Sequence, residues 1–495
     1  MPSETRLAVR EIPAPPRWEI MRASVAHAAG GWMLESALAP CRLGRWSFAG
    51  AAPCGIARAF GDRTEIAPLR PGSMIQRRTL RADPFDALRT IVPRAADVEG
   101  APPFAGGAVG WLGYELAAHV ERVAVRTSGG IGTPDAAWLL ADRVLAFDHV
   151  TGRAFATALD FGSGVVAAER AAERLASRVG GGEADPFEAG PRADVETPED
   201  FAADPLVLHD TATELSLGAF FDADSYAKAV QSIREQILAG EVYQANLTHR
   251  LAASFGGDAW GLYEMLCSRS PAPFAAFLAF PELCIVGSSP ERFVRLAADG
   301  RVECRPIKGT RTRGRTPRED AHLREQLAAS EKDRAENAMI VDLVRNDLGR
   351  VCTPGTIDVP ELFAIESYAT LFQMVSTIRG RLRPGSDVVD LLRAVFPPGS
   401  MTGAPKIAAI DLLARLEPVP RGVYAGALGW IDARGSADLS VVIRTLLCRG
   451  RRAWLHVGGG IVLDSDPQAE WEETRAKARA MLDALAACQQ EPRRR

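Results

Sequence analysis

The chain has 495 residues (53.1 kDa), longer than the roughly 250–300 residues at which a single hydrophobic core usually stops growing, so two domains or one unusually large one are expected. A net charge of −4 with a pI near 6.1 lacks the electrostatic footprint of a nucleic-acid binder and favours small molecules or other proteins as partners. No apolar run reaches the roughly 18 residues of a membrane span, no signal-peptide core follows Met1, and the eight scattered cysteines form no CxxC pair, so a soluble, cytoplasmic protein with reduced thiols is expected.

Up to about residue 179, short apolar runs alternate with glycine turns, as in Phe104-Ala105-Gly106-Gly107-Ala108-Val109-Gly110-Trp111-Leu112-Gly113-Tyr114, which reads as strands and tight bends. Helical spacing at 165–179 is followed by a stretch rich in Gly, Pro, Asp and Glu, and 180–215 is expected to be a linker or surface loop. From Asp222 onward Tyr226, Val230, Ile233 and Ile237 recur at helical spacing, with Asp222 or Asp224 as cap and Gly240 as stop. The next run, 241–248, alternates as a strand, with Tyr243, Ala245 and Leu247 on one face and Gln244, Asn246 and Thr248 on the other; that polar face is either solvent-exposed or part of a site.

Lys308 stands between proline and glycine turns in Arg305-Pro306-Ile307-Lys308-Gly309-Thr310-Arg311. A lysine is a nucleophile only as the free amine, which requires burial or neighbouring cations, and Arg305, Arg311, Arg313 and Arg315 are candidates to supply them. A solvated basic loop is the other reading. Downstream, two expected helices carry carboxylates one turn apart. Ser330 with Asp333 reads as a capping box ahead of Glu336, on a stripe with Ile340 and Leu343, and Ser465 or Asp466 caps a helix with Pro467, Glu470 and Glu473. Converging carboxylates suit a hard cation such as Mg²⁺, whereas acids in a first turn also simply favour the helix dipole.

An arginine in the β-branched run at 436–447 is costly to bury without an anion, so Arg444, with the amides of Gly458, Gly459 and Gly460, is a candidate carboxylate site; an edge strand with a snorkelling arginine is the alternative. The loop Phe396-Pro397-Pro398-Gly399-Ser400-Met401-Thr402-Gly403-Ala404-Pro405-Lys406 enters a helix, its hydroxyls being substrate contacts or caps, and it lacks Walker A spacing.

Taken together and in this order, residues 243–248, Ser289-Pro290-Glu291-Arg292-Phe293, 306–310, 333–349, 399–406, Ile443-Arg444-Thr445 and 458–462 with Glu470 and Glu473 resemble the chorismate-utilising enzymes, the family of anthranilate, aminodeoxychorismate, isochorismate and salicylate synthases. The resemblance covers about 222–485 and implies an α+β fold: two packed, mainly antiparallel β-sheets flanked by helices in a single large domain. Residues 1–179 would contribute to the sheet sandwich and 216–490 would form the chorismate-binding catalytic region.

Within the family, lysine at position 308 marks the branch that aminates chorismate at C4, and Gln244 stands where the water-adding members carry lysine. The resemblance therefore implies Lys308 as nucleophile and Glu291 as acid, with Glu336 and Glu473 as Mg²⁺ ligands and Asp333 and Glu470 near the metal waters. Arg444, Tyr424 and Gly458, Gly459 and Gly460 would bind a substrate carboxylate; Ser400, Thr310, Gln244 and Gln373 would contact the substrate. Gln373 departs from the histidine many relatives carry there. Leu34-Glu35-Ser36 resembles a family segment lining a tryptophan pocket, and either tryptophan binding or plain packing is expected of it. With no amidotransferase nucleophile elbow and no lyase segment in the chain, ammonia is expected from solution or from a separate glutaminase subunit. Two alternatives stay open: an anthranilate synthase tolerating Lys308, and a non-catalytic relative that binds chorismate or a partner.

Overall fold

Short runs that alternate small and apolar residues favour pleated pairing over helix through much of the chain. In the computed structural model, which describes residues 7–38, 42–190, 192, 204–368 and 371–490, they form two sheets, of thirteen and twelve strands among the described residues. Each sheet draws on both halves of the chain. One runs from Leu7–Glu11 through Trp32–Glu35, Phe274–Ala279 and Thr445–Arg449 to Gln244–Ser254, the other from Ile307–Thr312 through Arg292–Leu296 and Ala427–Asp432 to Gly107–Leu112 and Arg63–Pro68. Neither half could close a core alone, which makes the expected sandwich one structural unit.

Trp32, Phe48, Phe104, Trp111, Leu139, Leu278 and Trp430 fill the layer where the two sheets face each other. Helices cover the outer faces: Trp260, Tyr263, Leu482 and Leu485 belong to the core behind the first sheet, and Phe85, Val341, Leu348 and Leu391 to that behind the second. Each such side chain contributes about 1.5–3 kcal/mol by leaving water.

Local signals hold where the chain is punctuated. Asp222 and Ser225 make a reciprocal capping box at the start of helix Ala223–Leu238, which buries Tyr226, Ala229, Val230 and Ile233, and Gly240 follows at φ +79°. In the Gln244–Ser254 strand, Ala245 and Leu247 join Tyr226 and Trp471 in an apolar cluster, yet Gln244, Asn246 and Thr248 are also buried, so the polar face is no solvent face. Tyr243, expected alongside Ala245, is instead 65% exposed.

Two expectations change. The stretch 180–215 carries Phe187, which is fully buried, and the strand Leu206–Asp210, which pairs with Leu215–Ala219 at a sheet edge; residues 191 and 193–203 of that stretch lie outside those described. The continuous strand expected at 436–447 is two strands, Ala437–Val441 in one sheet and Thr445–Arg449 in the other, and the chain crosses between the sheets at Val442, Ile443 and Arg444.

Candidate active site

Ile307–Thr312 pairs with Leu371–Arg381, but the four residues from Ile307 to Thr310 oppose three from Val375 to Gln373. This bulge re-aims the side chain of Lys308. Gly309 beside it adopts φ +83°, and a Cβ there would lie 2.9 Å from Asp333 Cβ and Leu327 Cδ1, so the position needs glycine both for its backbone and for the close approach of helix Glu331–Gly349. Thr310 and Gln373 stand directly opposite each other, Gln373 buried and Thr310 exposed.

Lys308 reaches the inner edge of the Arg452–Ile461 strand, where a Cβ on Gly460 would lie 3.5 Å from its Nζ and would overlap Gln244 Nε2. Burial lowers its pKa from the ordinary lysine value; Lys477 acts in the same direction, against Glu336, Glu291 and Glu473. Three of the four arginines expected to supply that effect are otherwise engaged. Arg305 is buried and paired with Glu366, Arg311 with Asp333 at 3.0 Å, and Arg313 with Asp320 at 2.7 Å, while the backbone N–H of Arg315 donates to Glu319. Lys477, which the sequence reading missed, pairs with Glu473 at 2.7 Å and donates to the Gly458 carbonyl at 2.8 Å. Its one legible signal is the i, i+4 spacing from Glu473.

Glu291 is 5% exposed, and burial raises its carboxyl to about 7, against the hydrogen bond from Ser400, the charge of Lys308 and the Ile307 backbone N–H. A buried carboxyl that holds a proton near neutrality is a proton donor.

The two acidic helices do converge. Glu336 is raised from the ordinary glutamate value by burial, with Asp333 and Glu473 adding to the effect; Glu470 is raised by burial and by Glu473, while accepting a 2.6 Å hydrogen bond from Ser465. Glu473 itself is lowered, its burial outweighed by Lys477. Such mutual repulsion is what a divalent cation relieves. Among the described residues no three His, Cys, Asp or Glu side chains are grouped closely enough to hold a metal alone. Mg²⁺ takes one or two carboxylates and completes its shell with water and an anionic substrate, and Glu336 and Glu473 are the carboxylates such an ion would meet here. Of the four, Asp333 is engaged by Arg311, Glu470 by Ser465 and Glu473 by Lys477.

Arg444 sits at the crossing between the sheets with φ +49°, a strained value for a non-glycine residue, and its pKa is lowered by burial with no carboxylate to offset it. Arg444 is half-buried, and the strand that follows it is an interior one, so the edge strand of the alternative is not found. Gly458, Gly459 and Gly460 pair on one edge with Thr248, Leu247 and Asn246, while the pairing with Thr445–Arg449 on the other edge reaches only Leu455. A Cβ on Gly459 would come 2.9 Å from Glu470 Oε2, so that strand also fits closely against the acidic helix. Tyr424 is buried and stacks on His456 at 5.1 Å.

Away from this centre, Leu34 and Glu35 line a cavity of about 390 Å³ together with Pro273, Phe274, Arg292 and Asp438. Glu35 already accepts hydrogen bonds from the indole of Trp18 and, at 2.7 Å, from Tyr263. Ser36 is buried outside the cavity wall and accepts from the Leu38 backbone N–H at 3.2 Å.

The model of the chorismate binding enzyme family matches residues 45–483, and the chain belongs to that family. Its curated relatives include the aminodeoxychorismate synthase of Streptomyces pristinaespiralis, 41% identical over 502 residues (97% of this chain, 65% of the relative), and that of Streptomyces griseus, 44% identical over 401 residues (80% and 52%). The anthranilate synthase component 1 of Streptomyces coelicolor is 37% identical over 469 residues (92% and 83%). Anthranilate synthase component I from Streptococcus pneumoniae shares the fold at a TM-score of 0.73 with 27% identity, covering 90% of this chain and 92% of that one. The chain spans only about half to two thirds of the length of the aminodeoxychorismate synthases it matches. No helix among the described residues is long and apolar enough to cross a membrane.

Proposed function

We propose that the protein aminates chorismate at C4 with ammonia, giving 4-amino-4-deoxychorismate for 4-aminobenzoate and folate synthesis. The observation that carries this reading is the Lys308 amine, lowered in pKa by burial and electrostatically coupled to a Glu291 carboxyl raised to about 7. The Lys308 amine forms a bond to C2 as both ring double bonds shift and the C4–O bond breaks, and Glu291 gives its proton to the departing oxygen, releasing water. Ammonia then bonds to C4, both double bonds return, the C2–N bond breaks to free the lysine, and the proton shed by ammonia restores Glu291.

Arg444 and the 458–460 amides would grip the enolpyruvyl carboxylate. Mg²⁺ would be held by Glu336 and Glu473, with Asp333 and Glu470 near its waters, and would supply an electrostatic grip on the ring carboxylate. Gln244, which is no strong base for water, favours ammonia as the entering group. Ammonia would come from a separate glutaminase subunit, and the setting would be the cytoplasm. Mass spectrometry after incubation with chorismate and no ammonia tests the covalent step: an adduct on Lys308 that vanishes in Lys308→Ala is expected, and its absence from the unmodified protein counts against the nucleophile. Direct release of fluorescent anthranilate in the presence of ammonia and Mg²⁺ would instead support anthranilate synthesis.

A further inference from the structure

Arg421, whose carbonyl accepts from the Tyr424 backbone N–H at 3.2 Å, is 2% exposed and its guanidinium is fully committed. Nε and Nη2 hold the Glu417 carboxylate at 2.8 and 2.6 Å, Nη1 donates to the Met401 carbonyl at 2.7 Å, and Nη2 also donates to the Asn246 carbonyl at 2.7 Å. One face of the guanidinium lies 4.3 Å from the Tyr114 ring. The backbone on either side is fixed as well: the N–H groups of Arg421 and Gly422 donate to Glu115 at 2.7 and 2.9 Å. Glu417 in turn accepts from the Thr248 backbone N–H and hydroxyl, both at 2.9 Å.

The two carbonyls belong to two different segments of the site. Met401 follows Ser400, whose hydroxyl donates to Glu291. Asn246 lies two residues beyond Gln244, beside the amine of Lys308. These segments meet directly through a short ladder, Gln244 opposite Ala404 and Ala245 opposite Gly403, and through the Asn246 N–H to the Thr402 carbonyl at 2.8 Å. Because a guanidinium is planar and rigid, one that bridges both carbonyls sets their spacing. Tyr114 and Glu115, from the N-terminal half, set where the guanidinium stands.

We propose, deepening the amination reading and resting on it for turnover, that Arg421 is a positioning residue that holds the Ser400–Glu291 pair against Gln244 and the Lys308 amine. The Ser400 hydrogen bond favours ionised Glu291, and the other groups facing that carboxyl are Lys308 and the Ile307 N–H. Releasing the Met401 carbonyl loosens Ser400, so Glu291 keeps its proton to higher pH.

The experiment uses full-length Arg421→Lys and Arg421→Gln, with Glu417→Gln as a milder variant should these fold poorly. Expected is a kcat lowered about tenfold to a hundredfold, the scale of an ångström-sized misplacement, with KM for chorismate moved far less. The alkaline limb of the rate profile should move upward, as it should in Ser400→Ala. Amide exchange, which needs no turnover, should quicken selectively in residues 243–246 and 399–404. Exchange that quickens evenly across the chain, or does not change in those segments, overturns the proposal, as does a lower melting temperature with an unmoved pH profile. A wild-type protein that fails to aminate chorismate sinks the proposed function, while the exchange experiment still decides the role of Arg421.

Discussion

Burial drives Glu291 and Lys308 toward their uncharged forms together: the carboxyl is raised to about 7, the amine is lowered from the ordinary lysine value, and each, if ionised, would favour ionisation of the other. Burial thus favours the neutral pair, amine free and carboxyl protonated, which is the form the proposed amination requires.

The rate of chorismate amination should therefore be bell-shaped in pH, with an acid limb where the amine takes up a proton and an alkaline limb where the carboxyl gives one up. Glu291→Gln should lower kcat by about 10²- to 10⁴-fold and abolish the alkaline limb. An alkaline limb that persists in this variant assigns it to another group.

The same carboxyl should set part of the pH dependence of stability. A glutamate whose pKa rises from 4.5 to about 7 on folding binds its proton more tightly folded, so its contribution is full below 4.5, falls as pH climbs toward 7 and is flat above. Urea unfolding at pH 5 and pH 8 should show Glu291→Gln losing less stability over that interval than the wild type. Glu115, also raised to about 7 by burial, should preserve a residual slope in the variant.

Gly309→Ala should both destabilise and inactivate. The new methyl meets Asp333 and Leu327 at 2.9 Å from a backbone at φ +83°, and overpacking of this kind costs roughly 1–3 kcal/mol, with strain in addition. A melting temperature lowered by several degrees with more than tenfold loss of turnover is expected. Unchanged turnover would show that the bulge does not aim Lys308.

Glu336→Gln and Glu473→Gln should each raise the Mg²⁺ concentration for half-maximal activity, by about 10- to 100-fold, while leaving the fold intact by circular dichroism. Activity that survives exhaustive chelation in the wild type would remove the ion from the mechanism.

The parts of this site that were legible in the sequence are those fixed by local chemistry. Asp222 and Gly240 delimit their helix because caps act within a few residues, periodicity could place Glu336 on an inward stripe, and Glu473 was marked by its spacing from Glu470. Pairings between distant segments were not legible. Arg305 and Arg313 read as loose cations beside Lys308 because Glu366 and Asp320, which neutralise them, are joined to them only by folding. The β-branched run through Arg444 gave no sign of its break, since propensity describes the residues and not which sheet receives them. Lys477 carries no local signal beyond its spacing from Glu473, because its hydrogen bond to the Gly458 carbonyl joins segments brought together only by folding.

The crossing at Val442, Ile443 and Arg444 also bears on how such a protein can diversify. A hairpin tip elsewhere in either sheet can gain or lose a residue at little cost, because only solvent notices. Here a single insertion would turn the guanidinium out of its groove and shift the register of Thr445–Arg449 against Cys284–Ser289, so this short segment should accept substitutions but not changes of length.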